Sequence, residues 1–590
     1  MSISYSSLRT APGVLALTLG LSLTLTGCLS GSGGSSSKVE VPQNPLIRTT
    51  AQGQVRGSEQ ADYLQFLGIP YAKPPVGALR FAAPQEADSW TGIRLAENYG
   101  SDCPQTGLTT DAAEDCLFLN VFTPSSPGPH PVMVWMHGGA FIFGSGAGTY
   151  QPPRLVGEDV VVVTVNYRLG KLGFTAHPGL TAEQGASGSY GIMDQQQALR
   201  WVRDNISEFG GDPANVTLFG ESAGGLSVLS HLVSPASAGL FHKAIVQSGS
   251  YSQTQTAMAA AETVGTSFAS ALGCSAETVA EEVTCMRSRS VAEIMAQPAG
   301  SITPTLRSDI LPTSVGASLA TPGGFNDVPV LMGTNTDEWS YFLASRGEAN
   351  LITADNYQTI LAGTFGATAV TGLAPYYPPA AYGNDYAAVV TAFGTDGVFA
   401  CNASLQAERL AANGTRPLFV YEFADREALS PGLTVPSWLT LGATHAAEIQ
   451  YLFGSDELFA SRGATPEQVE LAQTMTRAWT SFARTGNPSF DGFSWVDYGD
   501  SAGGMLSLQT PSSQPLTQAG CAAGLRLAPR ALSRRLAQEH SSFRQILHEV
   551  RVAFANHHLQ ASSLSAEDIA ELSGFSSASS MRRALRQVPG

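Results

Sequence analysis

The sequence predicts an α/β protein with a large mixed, mostly parallel sheet flanked by helices, followed by a small all-α tail. Three observations predict this. Apolar runs at Pro131–Met136, Val216–Phe219 and Val328–Met332 each stop at a glycine-containing segment, as strands buried on both faces do. The chain has 590 residues, 43% of them hydrophobic, and can bury a substantial core. From Cys521 onward the composition changes to a periodic, helical, arginine-rich stretch without lysine.

At the N-terminus, Gly13–Gly27 is apolar, with Arg9 the only early charge. The stretch has signal-peptide length and is short for a membrane span. It ends in Leu25-Thr26-Gly27-Cys28, which looks like a bacterial lipobox. The expectation is a signal peptide over 1–27, a lipidated Cys28 and a flexible linker over 28–41, where glycine and serine dominate. Acyl chains on Cys28 would anchor the chain to a membrane, at ~0.8 kcal/mol per buried methylene. Leu29 after the cysteine, rather than aspartate, favours an outer membrane where the cell has one.

The first catalytic element follows Pro131–Met136. His137-Gly138-Gly139-Ala140-Phe141 is a loop in which backbone N–H groups can approach a ligand. Such donors stabilise the negative charge that grows on a carbonyl oxygen under attack. Next comes Gly220-Glu221-Ser222-Ala223-Gly224 after the run Val216–Phe219. A serine fenced by small residues at the end of a strand is a nucleophile elbow, a sharp turn that exposes the hydroxyl at the start of a helix. Ala223 adds a further N–H beside it.

A serine hydroxyl needs a base, and the base needs an acid to orient it. In elbow folds the order along the chain is serine, acid, histidine. Val328–Met332 ends in Gly333 and then polar residues, of which Asp337 and Glu338 both fit the acid. Of the ten histidines, three precede Ser222, His231 and His242 follow it too closely, and four lie in the tail. His445, among small residues in "LGATHAAEIQ", remains.

With these parts in order, residues 42–512 resemble the type-B carboxylesterases, which include the cholinesterases. The resemblance rests on "FLGIPYAKPPVGALRF", "EDCLFLNVFTP", "VVVVTVNYRLGKLGF", "GIMDQQQALRWVRDNISEFGGDPANVTLFGESAGG" and "WTSFARTGNPS". It implies an α/β-hydrolase fold, an ester as substrate, and the triad Ser222, Glu338 and His445, thereby preferring Glu338 to Asp337. It implies oxyanion donors at Gly139, Ala140 and Ala223, disulfides Cys103–Cys116 and Cys274–Cys285, and no cofactor or metal. Cys401 resembles one half of a third pair whose partner is missing, and is expected outside any disulfide. Ser189 stands where the family usually has asparagine and is expected to change only local hydrogen bonding. The loop between Cys103 and Cys116 is short and lacks tryptophan, so a choline ester is not the expected substrate.

The tail opposes the rest of the chain in charge. Nine arginines face five acidic residues from Cys521 on, whereas the whole chain carries −16. Ser565 is a helix cap and Gly574 a turn between two helices. The segment resembles part of the DNA-binding domain of AraC-type regulators, with Met581 and Leu585 where aromatics are common. The domains are therefore expected as 1–27, 28–41, an esterase body over 42–515 and a partial helix-turn-helix tail over 516–590. Two function classes follow: an exported serine esterase, or an intracellular regulator with an esterase-like sensor. The lipobox, the cysteine pairs and the complete set of catalytic parts favour the first, so nucleic acid is an unexpected partner. A non-catalytic adhesion protein is disfavoured because this chain keeps the whole triad.

Overall fold

The computed structural model describes residues 44–516, except 106–111, 299–301, 346–351, 368–369, 372–373 and 501–503. The expected signal peptide over 1–27, Cys28, the expected linker over 28–41 and the tail from 517 lie outside the described residues.

Fourteen strands occur among the described residues. Three form a small sheet: β1 (Ile47–Thr50), β2 (Gly53–Arg56) and β5 (Ile93–Leu95). The others are β3 (Ser58–Glu59), β4 (Tyr63–Pro70), β6 (Phe118–Pro124), β7 (His130–Met136), β8 (Val161–Val165), β9 (Gly211–Glu221) and β10 (Lys243–Gln247). After them come β11 (Val330–Asn335), β12 (Leu418–Phe423), β13 (Met505–Leu508) and β14 (Gln514–Leu516). Together these make an 11-stranded sheet in the order β14-β13-β12-β11-β10-β9-β7-β8-β6-β4-β3. From β8 through β7 to β13 every pairing is parallel, and both flanks are antiparallel.

Both faces of the sheet are covered. Along β7, Val132, Val134 and Met136 enter one apolar cluster, while Met133 and Trp135 enter another on the opposite face. The two-residue period of the strand thus serves two cores at once. The second cluster takes Met475, Trp479 and Phe482 from helix Pro466–Thr485. That helix starts in a capping box between Thr465 and Gln468 and stops at Gly486, which takes the left-handed conformation at φ 80°. The first cluster takes Leu226, Val228 and Leu229 from helix Ala223–Leu232, which begins at the elbow.

Between β11 and β12 the chain makes a helical insertion with its own apolar cluster around Trp339, Leu361 and Phe393. Its helices Tyr386–Gly394 and Cys401–Asn413 are joined by a π-helical turn, Thr395–Ala400. This helical stretch is long and apolar enough to cross a membrane by length and composition alone, and 56% of its most apolar part is buried inside the fold. Cys103–Cys116 and Cys274–Cys285 are disulfides, with Cα–Cα distances of 4.9 and 5.4 Å. Cys401 is exposed and belongs to neither.

Candidate active site

Ser222 sits where β9 turns into helix Ala223–Leu232, at φ 55°, ψ −121°. This is a strained backbone for a residue with a Cβ. The elbow closes only because its neighbours are small. A Cβ on Gly224 would strike the carbonyl oxygen of Met136, and one on Gly225 would come within 2.6 Å of the Gln247 carbonyl. The Ser222 N–H donates to that same carbonyl, at 2.9 Å.

Register in the parallel block gathers the other parts. Glu221 at the end of β9 is level with Gln247 of β10, which is level with Gly333 of β11. The residues just beyond, Ser222, Ser248 and the 335–338 turn, therefore share the C-terminal edge of the sheet, where open α/β sheets bind ligands. Ser248 Oγ donates to Glu338 Oε1 at 2.6 Å, and the Asn335 N–H donates to the same oxygen at 2.8 Å. Glu338 is fully buried, and its second oxygen lies 2.5 Å from His445 Nδ1.

Asp337, the other candidate acid, turns away. It takes the Arg426 guanidinium at 2.9 Å and the Ala443 N–H at 3.1 Å, while its own N–H donates to the Ala443 carbonyl. It clasps the loop that carries His445 without touching the imidazole.

Gly139, Ala140 and Phe141 run through three successive positive φ values, 103°, 53° and 59°. A Cβ on Gly138 would lie 3.1 Å from the Ser222 Cβ, so this loop passes directly beside the elbow. Among the described residues, no backbone carbonyl takes up the N–H of Gly139, Ala140 or Ala223. His137 fixes the loop from below. Its ring stacks on Tyr167 at 4.3 Å, Nδ1 binds the Gly138 carbonyl, and the Tyr167 hydroxyl donates to the His137 carbonyl. Burial outweighs that carbonyl contact and lowers the imidazole pKa to about 4, so the ring is neutral at ordinary pH.

Sequence reasoning missed the carboxylates around His445. Glu221 Oε1 lies 3.2 Å from His445 Nε2. Glu448, three residues beyond His445, is fully buried and receives Asn335 Nδ2 at 2.7 Å and Gln247 Nε2 at 3.2 Å. Burial disfavours the charged imidazole, but Glu221, then Glu338, outweigh it and hold the His445 pKa up at about 9. Burial, helped by Glu448 and Glu338 and opposed by His445, pushes Glu221 up to about 8. Both groups are thus biased toward holding a proton. The one signal for Glu221 was its place inside the elbow motif; Glu448 carried the i+3 spacing from His445 and nothing more.

The imidazole is flanked by rings as well. Tyr341, Phe342 and Phe399 stand 5.6, 5.2 and 5.1 Å from it, centroid to centroid. Ser189, the departure from the expected asparagine, is left-handed at φ 55° and exchanges hydrogen bonds with both backbone groups of Thr305, at 3.1 and 2.7 Å.

The sequence pattern of the carboxylesterase family matches residues 43–523. The chain belongs to that family. Curated relatives agree. An acylcarnitine hydrolase of Mus musculus is 36% identical, over 76% of this chain and 85% of its own length. A para-nitrobenzyl esterase of Bacillus subtilis (strain 168) is 35% identical, over 77% and 92%. A solved PNB esterase superposes with a TM-score of 0.68 at 31% identity, covering 82% of this carboxylesterase and 100% of the other chain. The fold is that of the α/β hydrolases, and the enzyme is a carboxylic ester hydrolase. A helix-turn-helix pattern matches residues 521–590, in keeping with the AraC-type resemblance of the tail.

Proposed function

We propose that this carboxylesterase works through an acyl-enzyme on Ser222, with His445 as base and Glu338 as its orienting acid. The supporting observation is the 2.5 Å bond from Glu338 to His445 Nδ1, set beside a strained serine elbow. Ser222 Oγ attacks the ester carbonyl while Nε2 takes its proton. The N–H groups of Gly139, Ala140 and Ala223 receive the developing oxyanion. Nε2 returns the proton to the departing alcohol, and water repeats the sequence to release the acid. The base must start neutral. The test is Ser222→Ala, expected to cost on the order of 10⁴ or more in kcat with an unchanged melting temperature. Near-normal hydrolysis of p-nitrophenyl esters by the purified variant would reject the assignment.

The second part of the proposal concerns place. The lipobox at Cys28 and the two disulfides support export and a lipid anchor in a bacterial envelope. Mass spectrometry of the mature N-terminus should find diacylated or triacylated Cys28. An unmodified start elsewhere would reject the anchor.

A further inference from the structure

The loop beside Ser222 is a costly conformation. Gly139, Ala140 and Phe141 all take positive φ, and two of them carry a Cβ. Such a run persists only where its surroundings over-determine it. Part of the support is internal. The Gly139 carbonyl accepts the N–H groups of Ile142 and Phe143, at 2.9 and 3.1 Å, so residues 139–143 form one tight turn. A Cβ on Gly139 would lie 2.0 Å from the Phe143 carbonyl oxygen.

The far end of the turn is held by a second segment, residues 101–105. Gln105 Nε2 donates to the Gly144 carbonyl at 2.9 Å, and Gln105 Oε1 accepts the Gly144 N–H at 2.8 Å. Both backbone groups of Gly144 thus go to one side chain. Next to it, Ser145 Oγ donates to Asp102. Asn166 accepts the Gly146 N–H at 2.7 Å and donates to the Ser101 carbonyl at 3.1 Å. Gly144 in turn presses on the donor loop. A Cβ there would stand 2.3 Å from His137 Nδ1 and 2.6 Å from the Gly138 carbonyl oxygen. Gln105 is itself steadied, because Nε2 also donates to the Cys103 carbonyl at 3.1 Å. Cys103 is buried and tied to Cys116 by the disulfide. Contacts therefore run from the disulfide through Gln105 and Gly144 to Gly138 and Gly139.

An amide is the one side chain of this length that offers a donor and an acceptor together. A carboxylate would take the Gly144 N–H but face its carbonyl with a second acceptor. A thioether would do neither. We propose that Gln105 is a positioning residue for ester hydrolysis: by gripping both backbone groups of Gly144, it keeps the N–H groups of Gly139 and Ala140 aimed at the oxyanion. The inference rests on the serine-esterase reading above.

The test compares binding with and without an oxyanion. A trifluoromethyl ketone takes the Ser222 oxygen onto its carbonyl carbon. The carbonyl oxygen becomes the oxyanion, and the serine proton passes to Nε2. The matching secondary alcohol has the same shape and forms no such bond. Gln105→Met should lower kcat on p-nitrophenyl butyrate about tenfold to a hundredfold, with KM changed less than about threefold, because misplaced donors are felt in the transition state. The inhibition constant of the ketone should rise with the loss in kcat, and that of the alcohol should not move. Gln105→Glu, which keeps the acceptor and loses the donor, should show the same split at smaller size. It decides the case if the methionine variant does not fold. Unchanged kcat and ketone affinity in the folded variant overturn the proposal. Equal losses for ketone and alcohol also overturn it, since a general loosening of the site would act on both. A fall in kcat that leaves both constants unchanged marks partial unfolding and overturns it as well. If the Gln105 variants show no split while Ser222→Ala is inactive, this inference falls and the serine-esterase reading stands. If Ser222→Ala still hydrolyses the ester, both fall.

Discussion

Asp337 and Glu338 are adjacent and buried, yet one grips a loop and the other reaches the imidazole. Glu338→Gln should cost about 10⁴-fold in kcat, because the amide cannot hold the same tautomer or support the imidazolium. Asp337→Asn should instead lower the melting temperature, by the equivalent of about 1–3 kcal/mol for a weakened buried network, with a much smaller kinetic loss. Comparable kinetic losses in the two variants would show that the acid is misassigned. A second prediction concerns pH. On the proposed mechanism His445 is the base and must be neutral to act, so kcat/KM should rise with pH as the imidazolium, held up at about 9, loses its proton. Glu221 is the largest of the charges that raise it. Glu221→Gln removes that charge and should move the rising limb of the profile to lower pH. A limb that stays in place would mean that Glu221 does not act on Nε2 electrostatically.

At the scale of elements, the elbow tolerates no extra atom while other helices welcome one. Gly224 faces the Met136 carbonyl across the strand-to-helix turn, so Gly224→Ala should abolish folded, active enzyme. Gly363, exposed in helix Tyr357–Phe365, has nothing within 4 Å of a built Cβ. Gly363→Ala should therefore raise stability by up to about 1 kcal/mol, since it restricts the unfolded chain and favours helix. Thermal denaturation of the two variants checks both signs. These elements differ in legibility for a physical reason. β7, β9 and β11 announced themselves as apolar runs because burial on both faces leaves no polar position. The insertion between β11 and β12 carried no such signature: its helices become stable by packing on one another around Trp339, Leu361 and Phe393. Its π-turn, which delivers Phe399 to the imidazole, depends on hydrogen-bond phase that a side-chain pattern does not record.

For the whole molecule, the last strand among the described residues, β14, ends at Leu516, and the helix-turn-helix match begins at residue 521. Ending the chain after Thr517 keeps every described strand. It should leave esterase activity and melting temperature unchanged, whereas a large loss of either would make the tail part of the folded enzyme. Removing a disulfide should act in the opposite way. Cys274, after helix Met258–Ala271, and Cys285, in helix Val279–Ser288, are 11 residues apart in sequence, and replacing both with serine should cost about 3 kcal/mol by freeing the unfolded chain. Calorimetry of the double variant would measure it.

The sequence by itself determined the α/β class, the serine elbow, the glycine loop and His445. Each is set by local chemistry: small residues at a strained turn, continuous apolar runs, and an order along the chain that leaves one histidine. The tertiary structure decided what depends on direction. The turn after β11 sends Glu338 inward and Asp337 toward Arg426, and strand register sets Glu221 against Nε2. Those contacts join segments 89 or more residues apart, and the chain records them only once the parallel strands align their ends.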